Sequence, residues 1–180
     1  MKFNADIPEL DATDRAILTL VQENCKQSLA TIGEKVGLKA PSVVERIHKL
    51  EEAGVITSYV ALIDARRLGK DVTAFIGVST ERPATTASLE AQIASISEVL
   101  ECHHVTGNHT LMLKVKTRNT QTLERLIDEV RRLEGVTRTE TSIVLSTFAE
   151  RPLIAVEPDE DFDARSARRA SAAKTRRAAS

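Results

Sequence analysis

Between residues 10 and 60, apolar positions recur at helical spacing in three short runs separated by polar turns. Asp11, with Asp14 three residues on, is a helix-start signature, and Ile17, Leu18 and Val21 then share one face. Ser28 is the cap of a second run, Leu29, Ile32 and Val36, and Gly37 stops it in the left-handed position that glycine adopts freely. Pro41 suits the first turn of a third helix, whose buried stripe is Val43, Ile47 and Leu50 and which ends at Gly54. Residues 55–63 are rich in β-branched side chains and predict a strand.

A polar stretch at 64–71 reads as a linker, and beyond it the pattern changes. A strand is predicted over 72–80, then a helix after Pro83 with Leu89, Ile93 and Ile96 on one side, then a strand over 99–105. Gly107-Asn108-His109 is a turn signal. Leu111, Leu113 and Val115 alternate with Met112, Lys114 and Lys116, the period of a strand. Thr120 is the expected cap of a helix carrying Leu123, Leu126, Ile127, Val130 and Leu133; Gly135 ends it, and 136–148 is the last strand. The order βαββαβ predicts a ferredoxin-like plait with both helices on one sheet face. Phe75, Met112 and Val144 make the other face too apolar to stand in water, which predicts a homodimer joined through the sheets. The fold class is α+β: residues 1–63 a helix-turn-helix domain, 64–71 a linker, 72–150 a ferredoxin-like domain, and 151–180 a charged tail expected to be disordered.

Composition narrows the chemistry. Of 180 residues, 42% are hydrophobic and 28% charged, enough for packed cores. Aromatic residues are 3% with no Trp, which argues against a stacking platform for single strands. Two cysteines, Cys25 and Cys102, cannot build a disulfide framework or a zinc ribbon. The longest apolar runs are too short to span a bilayer and the N-terminus does not read as a signal peptide, so a cytoplasmic protein without membrane contact is expected. Net charge is -1 and names no partner, but its distribution does. Residues 24–50 hold Lys26, Lys35, Lys39, Arg46 and Lys49 against Glu34 and Glu45. In the tail, Glu157, Asp159, Glu160, Asp161 and Asp163 precede Arg165, Arg168, Arg169, Lys174, Arg176 and Arg177, a run that reads equally as a solubilising tail or as a basic arm for phosphates.

The helices at 29–36 and 41–53, joined by Gly37-Leu38-Lys39-Ala40, have helix-turn-helix proportions, in which the second helix enters the major groove of double-stranded DNA. With Val43, Ile47 and Leu50 turned inward, Ser42, Glu45 and Lys49 fall on the opposite face, and Arg46 flanks it. Ser42, Glu45 and Arg46 are placed to reach base edges, Arg to guanine and Glu to the cytosine amino group, while the lysines neutralise phosphates.

Leu10-Asp11 with Asp14, Ile17 and Leu18; Ile32-Gly33; Val36-Gly37-Leu38; Glu45-Arg46-Ile47; Leu50-Glu51; and Gly54-Val55-Ile56 with Tyr59 resemble the DNA-binding half of the Lrp/AsnC transcriptional regulators. The likeness continues through Leu68-Gly69, Glu101-Cys102-His103, Val105-Thr106-Gly107, Leu113-Lys114, Leu133-Glu134-Gly135-Val136 and Thr139-Glu140-Thr141. This resemblance implies a winged-helix-type DNA-binding domain and a plait that dimerises, assembles to higher oligomers such as octamers, and binds an amino-acid effector. It places the ligand loop at Thr106, Gly107, Asn108, His109 and Thr110, with Thr139, Thr141 and Ser142 on the other side of the pocket. A Gly-centred turn offers backbone N–H groups to a carboxylate. Thr110 stands where the family usually has an acidic residue and His109 where it often has an aromatic one, which leaves the effector open. Lys39 likewise replaces the family's usual capping hydroxyl and is a candidate phosphate contact.

The expected function is therefore an effector-responsive, DNA-binding transcriptional regulator, not an enzyme. Siroheme decarboxylases also resemble this two-part layout, which would bring His103, His104 or His109 towards a tetrapyrrole; the basic recognition helix and tail argue against that alternative. Cys102, His103, His104 and His109 lack the paired spacing of a metal site, Cys25 reads as a small filler at a helix edge, and no cofactor is expected.

Overall fold

The computed structural model describes residues 8–81 and 86–156, which form two compact units: 8–61 together with 151–156, and 62–150. Within the first unit, Asp11 closes a capping box at the start of α1 (Ala12–Glu23), accepting from the Asp14 N–H at 2.7 Å while the Asp14 carboxylate accepts from the Asp11 N–H. Ser28 caps α2 (Leu29–Val36) through the Thr31 N–H, and Gly37 follows at φ +71°. The turn into α3 (Ala40–Glu52) is tight: the Leu38 N–H donates to the Gly33 carbonyl at 2.8 Å, and a Cβ on Gly33 would stand 2.4 Å from the Leu38 carbonyl oxygen. Ile17, Leu18, Ile32, Val43 and Leu50 form the buried centre, with Ile47, Val55 and Ile56 at its edge.

The strand predicted over 55–63 does not form. Val55 and Ile56 turn into the helical core, their N–H groups bonded to the Leu50 carbonyl, and the Tyr59 hydroxyl donates to Glu51 of α3. β-Branched residues favour extended backbone, but a strand also needs a ladder, and among the described residues none runs alongside 55–63. Cys25 is exposed rather than the filler expected.

In the second unit a short 3-10 turn (Ala65–Leu68) precedes β1 (Val72–Thr80), α4 (Thr86–Ala94), β2 (Val99–His104), β3 (Leu111–Thr117), α5 (Thr120–Arg131) and β4 (Val136–Ile143). The sheet is antiparallel with order β2-β3-β1-β4. Ala74, Ile76, Val78, Leu111, Leu113 and Val115 on one face meet Leu89 and Ile93 of α4 and Leu123, Leu126 and Val130 of α5. At roughly 25 cal/mol per Å2 of apolar surface removed from water, this layer is the main stabilising element of the unit. Two sequence expectations shift. Asn119, not Thr120, caps α5, because its carboxamide reaches the Thr122 N–H and the Thr122 hydroxyl sits where it can return the bond. The last strand stops at Ile143 rather than 148; Val144 still donates to the Thr73 carbonyl, but β1 ends there as a template.

Candidate functional site

α3 is anchored on one side and open on the other. Val43 and Leu50 are buried, whereas Lys39, Ser42, Glu45 and Lys49 are all exposed along the opposite side of α3. Lys39 is the N-cap residue and makes no side-chain cap, so its ammonium is not spent on the helix end. Glu45 and Lys49 form an i,i+4 pair at 2.8 Å, which lowers the Glu45 carboxyl and raises the Lys49 ammonium relative to their ordinary values. Such an exposed pair holds little free energy.

Arg46 behaves differently from the groove contact expected of it. Its Nη1 donates to Asp14 Oδ1 at 2.6 Å and to Asp11 Oδ2 at 2.7 Å, pinning α3 to the start of α1. Partial burial pushes the Asp11 carboxyl up, but the Asp14 N–H and the Arg46 guanidinium outweigh it and hold that carboxyl below its ordinary value. The hydrogen bonds that Arg46 donates to Asp14 and then to Asp11 keep it firmly charged. Sequence spacing places Arg46 beside the exposed stripe; it does not reveal that a capping box of two aspartates leaves two carboxylate oxygens within its reach.

The second candidate site is the β2–β3 loop. Thr106, Gly107 and Asn108 are exposed at its tip, while His109 and Thr110 are half-buried. Four contacts fasten the loop to the end of β1. The Thr110 N–H donates to the Val78 carbonyl at 2.8 Å, and Thr110 Oγ1 accepts from both the N–H and the hydroxyl of Thr80. The Ser79 hydroxyl donates to the Asn108 carbonyl at 3.2 Å. The His109 imidazole lies flat over Gly77, where a Cβ would come within 2.4–2.7 Å of the ring, and its Nε2 stands 3.8 Å from Glu140 of β4. Gly77, Ser79, Thr80 and Glu140 were not singled out from the sequence; a lone glycine inside a strand, a sign of close approach, is the available signal for the first.

The remaining loop partners divide between faces. Thr139 and Thr141 pair with Val78 and Ile76 and share their helix-covered side, where Arg131 of α5 donates to Thr139 Oγ1 at 2.8 Å. Ser142 pairs with Phe75 on the opposite, open side, the side of His109 and Glu140. Side chains alternate along a strand, so these three neighbours in sequence cannot line one wall. The other histidines do not converge either: His103 meets Glu101 on the open face, and His104 pairs with Glu90. Burial, reinforced by Glu90, raises the Cys102 thiol, the wrong direction for a nucleophile.

Residues 10–51 match the AsnC-type helix-turn-helix domain and residues 73–154 the Lrp/AsnC ligand binding domain. The chain belongs to the Lrp/AsnC family of transcriptional regulators. It is 33% identical over 141 residues to the HTH-type transcriptional regulator FL11 of Pyrococcus horikoshii, an alignment covering 78% of this chain and 93% of that protein. The structure of Escherichia coli AsnC superposes with a TM-score of 0.76 at 28% identity, over 81% of this chain and 99% of that one. A Neisseria meningitidis transcriptional regulator in complex with L-Met superposes with a TM-score of 0.79 at 26% identity, over 82% and 97%. These relatives are transcriptional regulators, and the chain is a DNA-binding regulator rather than a tetrapyrrole enzyme. No helix among the described residues is long and apolar enough to cross a membrane.

Proposed function

We propose that this regulator responds to a small amino-acid effector bound at the β2–β3 loop, in a homodimer that assembles further, and that it acts in the cytoplasm. The observation that carries this reading is the seating of the loop. Four contacts to β1 fasten Thr110 and the Asn108 carbonyl, while Thr106, Gly107 and the Asn108 side chain stay exposed to a ligand. Thr110 spends its hydroxyl inside the fold, so the carboxylate an effector ammonium would meet is Glu140, on the same face as His109. The Neisseria relative's complex with L-Met supports the ligand class. Dimerisation through the open sheet face is supported by Phe75, which is 40% exposed there, and beyond the end of β4 Leu145 and Phe148 add apolar side chains that are 97% and 99% exposed. Apolar surface of that extent in one subunit calls for a cover.

On α3 we assign Ser42 and Glu45 to base edges and Lys39 and Lys49 to phosphates, with Arg46 setting the helix in place. The effector reading is tested by thermal unfolding with each proteinogenic amino acid in turn. A ligand at a hundred times its Kd stabilises by about 2.7 kcal/mol, and Glu140→Gln should abolish the shift for any ligand found. No shift with any amino acid would contradict the reading.

A further inference from the structure

The chain returns to its helical unit before the charged tail begins. The Gln22 side chain of α1 clasps the backbone of Ile154 from both sides: Nε2 donates to the Ile154 carbonyl at 3.0 Å, and Oε1 accepts from the Ile154 N–H at 2.9 Å. Val156 packs against the same apolar centre that supports α3. The structure thus places residues 151–156, read from the sequence as part of the tail, on the unit that carries the recognition helix. Beyond them, residues 157–163 hold five acids, and residues 165–180 hold six cations and no acid. The family match ends at residue 154 and assigns this stretch nothing.

We propose that the cations from Arg165 to Arg177 form a second DNA-binding element, a basic arm that grips backbone phosphates beside the site read by α3, rooted on the DNA-binding unit by the Gln22–Ile154 clasp. The proposal rests on α3 being the DNA contact. Cations bind duplex DNA by releasing condensed counterions, a sequence-independent gain that grows with each phosphate met. Tethering decides whether that gain is realised, because an arm acts through its effective concentration at the duplex. A root on α1 delivers the arm together with α3. The eight residues from 157 to 164 span at most roughly 30 Å, which bounds how far from the clasp the first cation can reach. Their acids are repelled by phosphates and stay off the duplex, which leaves contact to the run that follows.

The test uses three full-length proteins and a duplex selected by the unaltered chain, with affinity followed over a series of salt concentrations. In one variant Arg165, Arg168, Arg169, Lys174, Arg176 and Arg177 are each replaced by Gln; in the other, Gln22→Ala and Val156→Ser open the clasp and leave every cation in place. The Gln variant should bind about tenfold or more weakly at low salt, with a salt slope shallower by about one unit for each lost phosphate contact, and should select the same DNA sequence. The clasp variant should lose part of the same increment. Unchanged affinity and slope in the Gln variant would overturn the arm. Tighter binding would do so too, and would show the tail competing with DNA. A clasp variant equal to the unaltered chain would overturn the rooting. Failure of the unaltered chain to select any duplex would instead remove the α3 reading on which the proposal stands.

Discussion

At the residue scale the deciding side chain is Arg46. Two hydrogen bonds to Asp11 and Asp14 make it a positioning group for α3, so its loss should be felt first in folding. Arg46→Met should lower the stability of the helical unit by about 1–2 kcal/mol, the scale of hydrogen bonds to charged groups, and leave the selected DNA sequence unchanged; relaxed selectivity at one base pair would return Arg46 to the groove. The pair also sets a pH dependence. The folded-state value of Asp11 lies below its unfolded value, so its contribution is complete above about pH 4 and is lost as the pH falls through the depressed value. Asp11→Asn should remove that part of the acid sensitivity, read by thermal unfolding over a pH series. Tyr59, the one tyrosine in the chain, gives a second probe. Desolvation, then the bond to Glu51, pushes its phenol up to about 12. Its protonated form therefore stabilises the fold fully below about pH 10, and that contribution is lost as the pH rises through the folded value. A tyrosinate absorbance titration should show a midpoint near the raised value, falling in Glu51→Gln; a midpoint near that of free tyrosine would mean the hydroxyl is not held.

At the element scale, two glycines do different work. Gly33 lets α2 and the turn into α3 approach until only a hydrogen fits, with a rigid backbone carbonyl as the obstacle. Gly33→Ala should cost about 1–3 kcal/mol, as overpacking of a tight contact does, measured by chemical denaturation. Gly77 is opposed by the His109 ring, which can swing away, so Gly77→Ala should leave stability nearly intact while altering the effector response. What was legible in the sequence follows the same division. Helix ends written in local chemistry, Asp11–Asp14, Ser28 and Gly37, stand where the pattern placed them. The alternation of β3 likewise gave its two faces. Residues 55–63 form no strand because strand propensity is local and ladder partners are not. The family likeness groups Thr139, Thr141 and Ser142 because it runs along the sequence, while the sheet sorts such neighbours onto opposite faces.

At the scale of the whole molecule, the chain divides into a helical unit and a sheet unit joined twice, once through residues 61–62 and again where Glu150 passes into the returning segment. The second connection was invisible in composition, since the Gln22–Ile154 clasp spans 132 residues and uses a side chain with no distinctive pattern. The expectation of disorder for the tail concerns, beyond Val156, residues outside those described. A regulator built this way needs its reading helix free on one side and fixed on the other, and α3 meets that condition through Val43, Leu50 and Arg46 below and Ser42, Glu45 and Lys49 above. The most direct measurement is selection of duplexes from a random pool by the full chain and by its Glu45→Ala variant. A shared consensus that relaxes in the variant at one base pair of each half-site, the mark of a lost base contact, is the predicted result; no enrichment by the full chain, or an identical consensus from both proteins, would contradict the assignment of this face of α3 to the groove.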